Sequence, residues 1–497
     1  MKQSFYIKIK LKPIIFASHI KAKSSFGGIK SAFSFVSIGI LISLFPSTII
    51  AQNDTIKYDI KLYGLVSTGK YSPFWLQSNQ YDKFSSAPSS GDLQIGFSKD
   101  YGVKKKLFDY GFKANLLLRT DKATTTAYFH EMYAKARLSV FDLAIGAREE
   151  QYGNQDSTLS CGGLLFSKNA RPMPKISIGI EKFITVPFTF NLLEIKGGLT
   201  HGWFTDNIYT KDLLLHHKFI YARIGGKLPV HIQAGLDHVA QWGGTVPDPK
   251  YGQLPHGFKD YISIFFVQSG GTGGEAINAL GNHIISQSLK LEADISDFKL
   301  AAYWQNISED GPIRLIGKTM NASDGLWGMS IKNKQFPFIK GLLYEYLNTT
   351  DQSGPYHDKD GIVYGGADSY FSNYIYNNGW SYYSRIIGTP LITSAIYNSN
   401  GEVYTLNNRV QAHHFGIEGD VYGYNYKVLA TFSKNYGTYS NSMDVHNTST
   451  LVEVNKQFPH LHNVEIGCSV GADRGKLFGN SAGVLFSVRK MGNLFSY

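Results

Sequence analysis

Past residue 53 the chain offers no uncharged apolar run long enough to cross a bilayer as a helix, yet it keeps returning to segments of roughly ten residues in which apolar and polar positions alternate. In residues 230–240, Val230, Ile232, Ala234 and Leu236 take one face, and His231, Gln233, Gly235 and Asp237 the other. The same division sets Leu289, Leu291, Ala293 and Ile295 against Ser288, Lys290, Glu292 and Asp294. It sets Phe415, Ile417 and Val421 against His414, Gly416, Glu418 and Asp420, and Val464, Ile466, Cys468 and Val470 against Asn463, Glu465, Gly467 and Ser469. Phe112, Ala114, Leu116 and Leu118 likewise oppose Lys113, Asn115, Leu117 and Arg119. Successive side chains of a strand point to opposite faces, so each segment has one side for an apolar medium and one for water.

A soluble sandwich would alternate in the same way, and loop lengths decide between the two. From Tyr58 onward about eighteen strands can be placed, joined by connections that alternate short and long, as in a barrel with tight periplasmic turns and long outer loops. The short series falls at 101–108, 140–142, 186–189, 227–229, 296–298, 332–338, 423–425 and 456–461. The long series falls at 68–91, 151–174, 243–282, 309–324, 351–411 and 437–447, with 120–126 a short exception on the outer side. The expected fold is therefore all-β: a transmembrane outer-membrane β-barrel of about 18 antiparallel strands with long extracellular loops and both termini periplasmic. Closure leaves no unpaired strand edge in lipid. Val484, Phe486 and Val488 alternate outward in the last strand, but Tyr497 lies on the opposite parity, so either a bulge falls near Gly492 or the aromatic ending is incidental.

Residues 1–53 carry seven Lys and no acid, and Ala32 to Ile50 is apolar before the small residue Ala51. That order marks residues 1–51 as a signal peptide and 52–497 as the barrel, the alternative being a retained anchor. Cleavage reduces the formal +11 to 11 − 7 = +4, and the remaining charges are dispersed and often beside acids, so nucleic acid is not an expected partner.

Other constellations carry no chemistry. Cys161 falls in an outer loop and Cys468 on the lipid face, so the two thiols stay unpaired. His216-His217 and His413-His414 are adjacent on strands and point to opposite faces, which argues against a metal site. The run from Gly270 to Gly274 lacks the Lys-Ser/Thr ending of a phosphate loop. Charges at lumen parity, Lys113, Arg119, Glu131, Lys135, Arg137, Arg148, Asp237, Lys290, Glu292, Asp294, Glu418, Asp420 and Glu465, imply a hydrated, salt-bridged interior. No Gly-x-Ser-x-Gly nucleophile motif is present, and neither enzymatic activity nor a cofactor is expected.

Residues 364–391 pack six Tyr, one Phe and one Trp among Asn, Ser and Gly, with neither strand nor helix period. Aromatic faces among amide and hydroxyl groups suit contact with sugar, where a ring stacks on the apolar face of a pyranose. They also suit a long ordered loop.

The chain resembles the Wzi family of capsule-assembly outer-membrane proteins, in the form carried by Bacteroides-type bacteria. The resemblance rests on PFWLQSNQY from Pro73, HGWF from His201, HHKFIYARIG from His216, GLDHVAQWGG from Gly235, GLLYEYLNTTDQSGP from Gly341, and residues 370–391. It implies a non-enzymatic, lectin-like barrel, monomeric in the outer membrane, that holds capsular polysaccharide at the cell surface. The family's founding branch has an N-terminal helical bundle, for which there is no room before the first strand here. On placement, Trp380, Tyr382 and Tyr383, with Trp242 and Trp75 from other outer loops, are expected to face outward as the sugar-contacting surface. Asn373, Asp368 and Arg385 are the neighbouring polar groups for hydroxyls or an acidic sugar. The rival function is a diffusion channel or oligosaccharide importer, which would need an open lumen.

Overall fold

The computed structural model describes residues 55–102, 106–269, 279–309, 321, 323–354, 358–359, 362–363, 366–398 and 400–496. The expected signal segment and the glycine run at 270–274 lie outside them. Eighteen antiparallel strands form a single sheet. In chain order they are β1 (Thr55–Ser67), β2 (Ser89–Lys99), β3 (Phe108–Asp121), β4 (Thr125–Leu138), β5 (Phe141–Ala147), β6 (Pro174–Thr185), β7 (Leu193–Trp203), β8 (Leu214–Ile224) and β9 (Val230–Trp242). They continue as β10 (Asn282–Ile295), β11 (Phe298–Glu309), β12 (Gly325–Asn333), β13 (Gly341–Asn348), β14 (Val410–Val421), β15 (Tyr424–Gly437), β16 (Ser442–Phe458), β17 (Val464–Gly475) and β18 (Ser481–Ser496).

Each strand pairs with its sequence neighbours, and β18 closes the barrel on β1 with Leu62 opposite Val488. The register slips between Ile56 and Lys57, which face Phe495 and Asn493, so the expected bulge sits at Leu494, two residues past Gly492. Ile232, Leu291 and Ile466 are exposed on the outer wall, as the parity argument requires. The inward row is a belt of ion pairs: Lys113 with Glu131, Arg137 with Asp142, Arg148 with Glu150 and Glu181, Lys290 with Glu292, and Lys332 with Glu418 and Asp156.

Two loop expectations need correction. The sequence pattern puts residues 437–447 among the long loops, but β15 and β16 run on to a four-residue turn at 438–441. The loop at 243–281 folds a nine-residue helix onto the outside of the barrel, a segment too short for its period to stand out in the sequence.

The largest apolar cluster is not at the wall but inside the lumen. It gathers Phe74, Trp75 and Leu76 from loop 68–88, Leu159, Leu164 and Leu165 from loop 148–173, and Tyr370, Phe371, Tyr376, Trp380 and Tyr382 from loop 349–409. The wall thins to receive them. A Cβ at Gly471 would lie 2.8 Å from Leu76 Cγ, and one at Gly416 would lie 2.9 Å from Leu159 Cβ.

Candidate functional site

Three outer loops enter the barrel, and each is tied to the wall by named hydrogen bonds. In loop 68–88 a single helical turn, α1 (Phe74–Gln77), faces β16 to β18. The Phe74 N–H donates to Asp473 at 2.8 Å, and Trp75 Nε1–H donates to Thr431 Oγ1 at 3.0 Å with its ring against His414. Loop 148–173 crosses the lumen. Gly153 N–H donates to the Tyr221 hydroxyl, Asn154 Nδ2 to Leu289 O at 2.7 Å, and Leu164 N–H to Gln305 at 2.8 Å. At its centre Ser160 Oγ and Cys161 N–H both donate to the buried Glu345 carboxylate of β13 at 2.7 Å. Loop 349–409 lies on top: Phe371 N–H donates to Glu309 at 2.7 Å, Gln241 Nε2 donates to Gly379 O at 2.9 Å, and Trp380 Nε1–H donates to Leu165 O at 2.8 Å.

The loops are joined to one another through Asp82. Its carboxylate accepts from Arg385 at 2.6 Å, from Arg171 at 2.6 Å, and lies 3.6 Å from Arg119 of β3. Burial alone would favour the neutral acid, but the guanidinium groups of Arg171, Arg385 and Arg119 outweigh it and hold the carboxyl far below the usual aspartate range. Arg171 in turn stacks 3.8 Å from the Tyr383 ring centroid and 4.2 Å from that of Tyr128.

The expected outward-facing surface is thereby corrected. Trp75, Trp380 and Tyr382 are 1–2% exposed, and Arg385 is buried with its guanidinium consumed by Asp82, Gln77 and Phe84 O. These residues are brought together, but as the packed core of a plug; large rings on loops found apolar neighbours by folding into the lumen. Trp242 is not in a loop at all. It ends β9 facing outward, buried under the helix of loop 243–281, apart from the others. Tyr383 keeps part of its surface, as do Asp368 and Asn373. Asp368 accepts from Ser353 Oγ at 2.5 Å, and Asn373 Oδ1 accepts the N–H groups of Ile375 and Tyr376 at 2.9 and 3.1 Å.

That last turn holds up a residue the sequence did not single out. Between Asn373 and the buried pair Ile375 and Tyr376, Tyr374 is 59% exposed on the extracellular side. Its ring meets Tyr251 of loop 243–281 edge-on at 6.1 Å, and Lys250 lies over the Tyr251 ring. Among the described residues no group of three His, Cys, Asp or Glu converges as metal ligands.

A family model described as "Capsule assembly protein Wzi" matches residues 67–414, from the end of β1 through the plug loops into β14. The chain belongs to the Wzi family. No curated protein matches the sequence. Among solved structures, Wzi of Escherichia coli, described as an outer-membrane protein involved in group 1 capsule assembly and a carbohydrate-binding β-barrel, is similar with a TM-score of 0.56 at 11% identity, covering 96% of this chain and 90% of that one. OccK3 (OpdO) of Pseudomonas aeruginosa aligns at a TM-score of 0.48 and 12% identity, over 89% of this chain and 96% of that one. At such identities the likeness is one of fold, and membership of the Wzi family rests on the family match.

Proposed function

We propose that this protein is a non-enzymatic, lectin-like barrel that binds capsular or other surface polysaccharide outside the cell and attaches it to the outer membrane. Family membership supports the class, and one observation carries the reading further: the outer part of the lumen is packed with the protein's own loops, which favours an extracellular face over a path. Sugar contact on that face falls to Tyr374, with Tyr251 and the partly exposed Tyr383 beside it, while Trp75, Trp380, Tyr382 and Arg385 act from beneath by keeping the loops in place. A tyrosine raised on a turn whose N–H groups are already satisfied loses little freedom when a pyranose stacks on it. The mature barrel begins after a cleaved signal near Ala51.

The test is binding of the host's surface polysaccharide to refolded protein by calorimetry or surface capture. Tyr374→Ala should weaken binding about tenfold, or about 1.4 kcal/mol, with heat-modifiable gel mobility unchanged. Full binding by Tyr374→Ala and Tyr251→Ala together, in a folded barrel, would remove these rings from the site.

A further inference from the structure

On the outer wall near the extracellular rim, the apolar face of the barrel turns polar. Outward-facing positions there are His201 on β7, His216 and Lys218 on β8, His238 on β9 and His283 on β10, with His201 opposite His216 in the pairing of β7 and β8. Directly below them on the same strands the wall is exposed and apolar, with Ile220 and Ile224 on β8, Ile232 on β9 and Leu291 on β10. Helix α2 (Phe258–Phe266) lies over the polar patch. Its Tyr261 ring meets His201, His216 and Trp242, its Phe265 ring meets His216, and Ile264 is fully buried with Ala240, Trp242 and Leu280. Lys218 Nζ donates to Phe265 O at the last turn of the helix and lies 4.2 Å from the Phe265 ring centroid. At the other end the Asp260 carboxylate accepts the N–H of the helix's own N-cap, Gly257, at 2.8 Å, which stabilises the first turn.

The exposed flank of α2 beside that buried face is also apolar, and Lys259, Asp260 and Ser263 make up the remaining polar arc. Phe258, Ile262 and Phe266, at the i, i+4, i+8 spacing of a single helix face, point away from the barrel, and Phe258 and Phe266 are 81% and 63% exposed. A helix on a water-exposed wall should present charge on that side, whereas this stripe continues the lipid-facing apolar band below it. Lys259, exposed at the end of the helix, can keep its ammonium among the headgroups. We infer that α2 is an in-plane interfacial helix whose outer stripe, Phe258, Ile262 and Phe266, is immersed in the acyl chains of the outer leaflet. It shields the histidine patch from lipid and fixes the barrel's height. It also ties loop 243–281, which carries Tyr251, to the membrane surface.

The test uses full-length mature protein reconstituted in phospholipid vesicles, with Cys468→Ala removing the one accessible thiol, since Cys161 is sealed in the plug. A fluorophore on Phe266→Cys, and separately on Phe258→Cys, should be quenched by lipids bearing an acyl-chain nitroxide and reached by aqueous iodide several-fold less than the same fluorophore on Lys250→Cys. Heat-modifiable mobility confirms that each variant is folded. Iodide access equal to that of the Lys250→Cys label would overturn the inference. Protection from both quenchers would overturn it too, because the stripe would then be covered by a second copy or another protein. Neither result depends on sugar binding.

Discussion

Asp82 is the residue on which the closed plug depends most, because one carboxylate serves guanidinium groups from β3 and from two loops. Removing it would leave three arginines sharing a buried site, with Asp92 near Arg119 and Asp206 acting on Arg171 as remaining carboxylates. Asp82→Ala is therefore expected to cost about 3–5 kcal/mol in the plug, visible as rapid trypsin cleavage within the loops while the barrel keeps its heat-modifiable mobility. The sign of the pH effect follows from the depressed acidity. Such a carboxylate contributes fully above the ordinary aspartate value of about 4, and its contribution is lost as pH falls from there toward the folded-state value. Loop protection should be flat from about pH 5 to 8 and decline below about 4. Asp82→Asn should lack that acid step, and an identical step in this variant would assign it to another group. None of this was legible in the sequence. The aromatic, amide-rich composition of residues 364–391 is plain, but whether a ring stands in water or in a core depends on partners such as Leu165 O for Trp380, 215 positions away, and Asp82 for Arg385, 303 positions away.

At the scale of single strands the sequence was far more informative, because a period of two is a local property and the environment on each side of a barrel wall is uniform. The parity that put Ile232, Leu291 and Ile466 toward lipid and Lys113, Glu131 and Arg137 toward the lumen holds strand by strand. Even the terminal bulge was one of two readings that the mismatch between Phe486 and Tyr497 allowed. What local pattern did not reveal was the nine-residue helix α2, too short for its period to stand out. The parity itself is testable: an Arg at Ile232, Leu291 or Ile466 is expected to cost about 2–4 kcal/mol near the bilayer midplane and to block assembly. Normal heat-modifiable mobility in all three variants would mean that these side chains do not face lipid.

At the scale of the whole molecule, the choice between anchor and channel turns on whether the plug leaves a path. Below it the lumen is roomy and polar, with cavities of about 430 and 390 Å³ lined by residues such as Lys427, Glu453 and Asn455 in one and Lys135, Glu181 and Lys196 in the other. These cavities lie toward the periplasmic turns. Above them stand Leu159, Leu164, Phe371, Trp380 and Tyr382, all buried in one apolar cluster, and the charged groups enclosed beside it, Glu345, Asp82 and Arg385, are bound to protein partners. A porin lumen would keep a solvated ionic lining through the constriction, whereas here the constriction is packed with apolar side chains and its ion pairs at Asp82 are buried between the loops. Of the two longest outer loops, 349–409 supplies most of that core; loop 243–281 adds Val246 and Leu254 to it and contributes α2 outside the wall. Reconstituted protein is therefore expected to show little or no steady conductance in planar bilayers. Replacing residues 367–394 by a short Gly-Ser linker should open steady conductance, since it removes Tyr370, Phe371, Trp380 and Tyr382 together with the Arg385 clasp on Asp82. Sustained conductance in the unaltered protein, large enough for an oligosaccharide to pass, would favour the importer. Silence in both proteins would place the seal in loops 68–88 and 148–173, which hold to the wall through Asp473, Thr431 and Glu345 without help from the third loop.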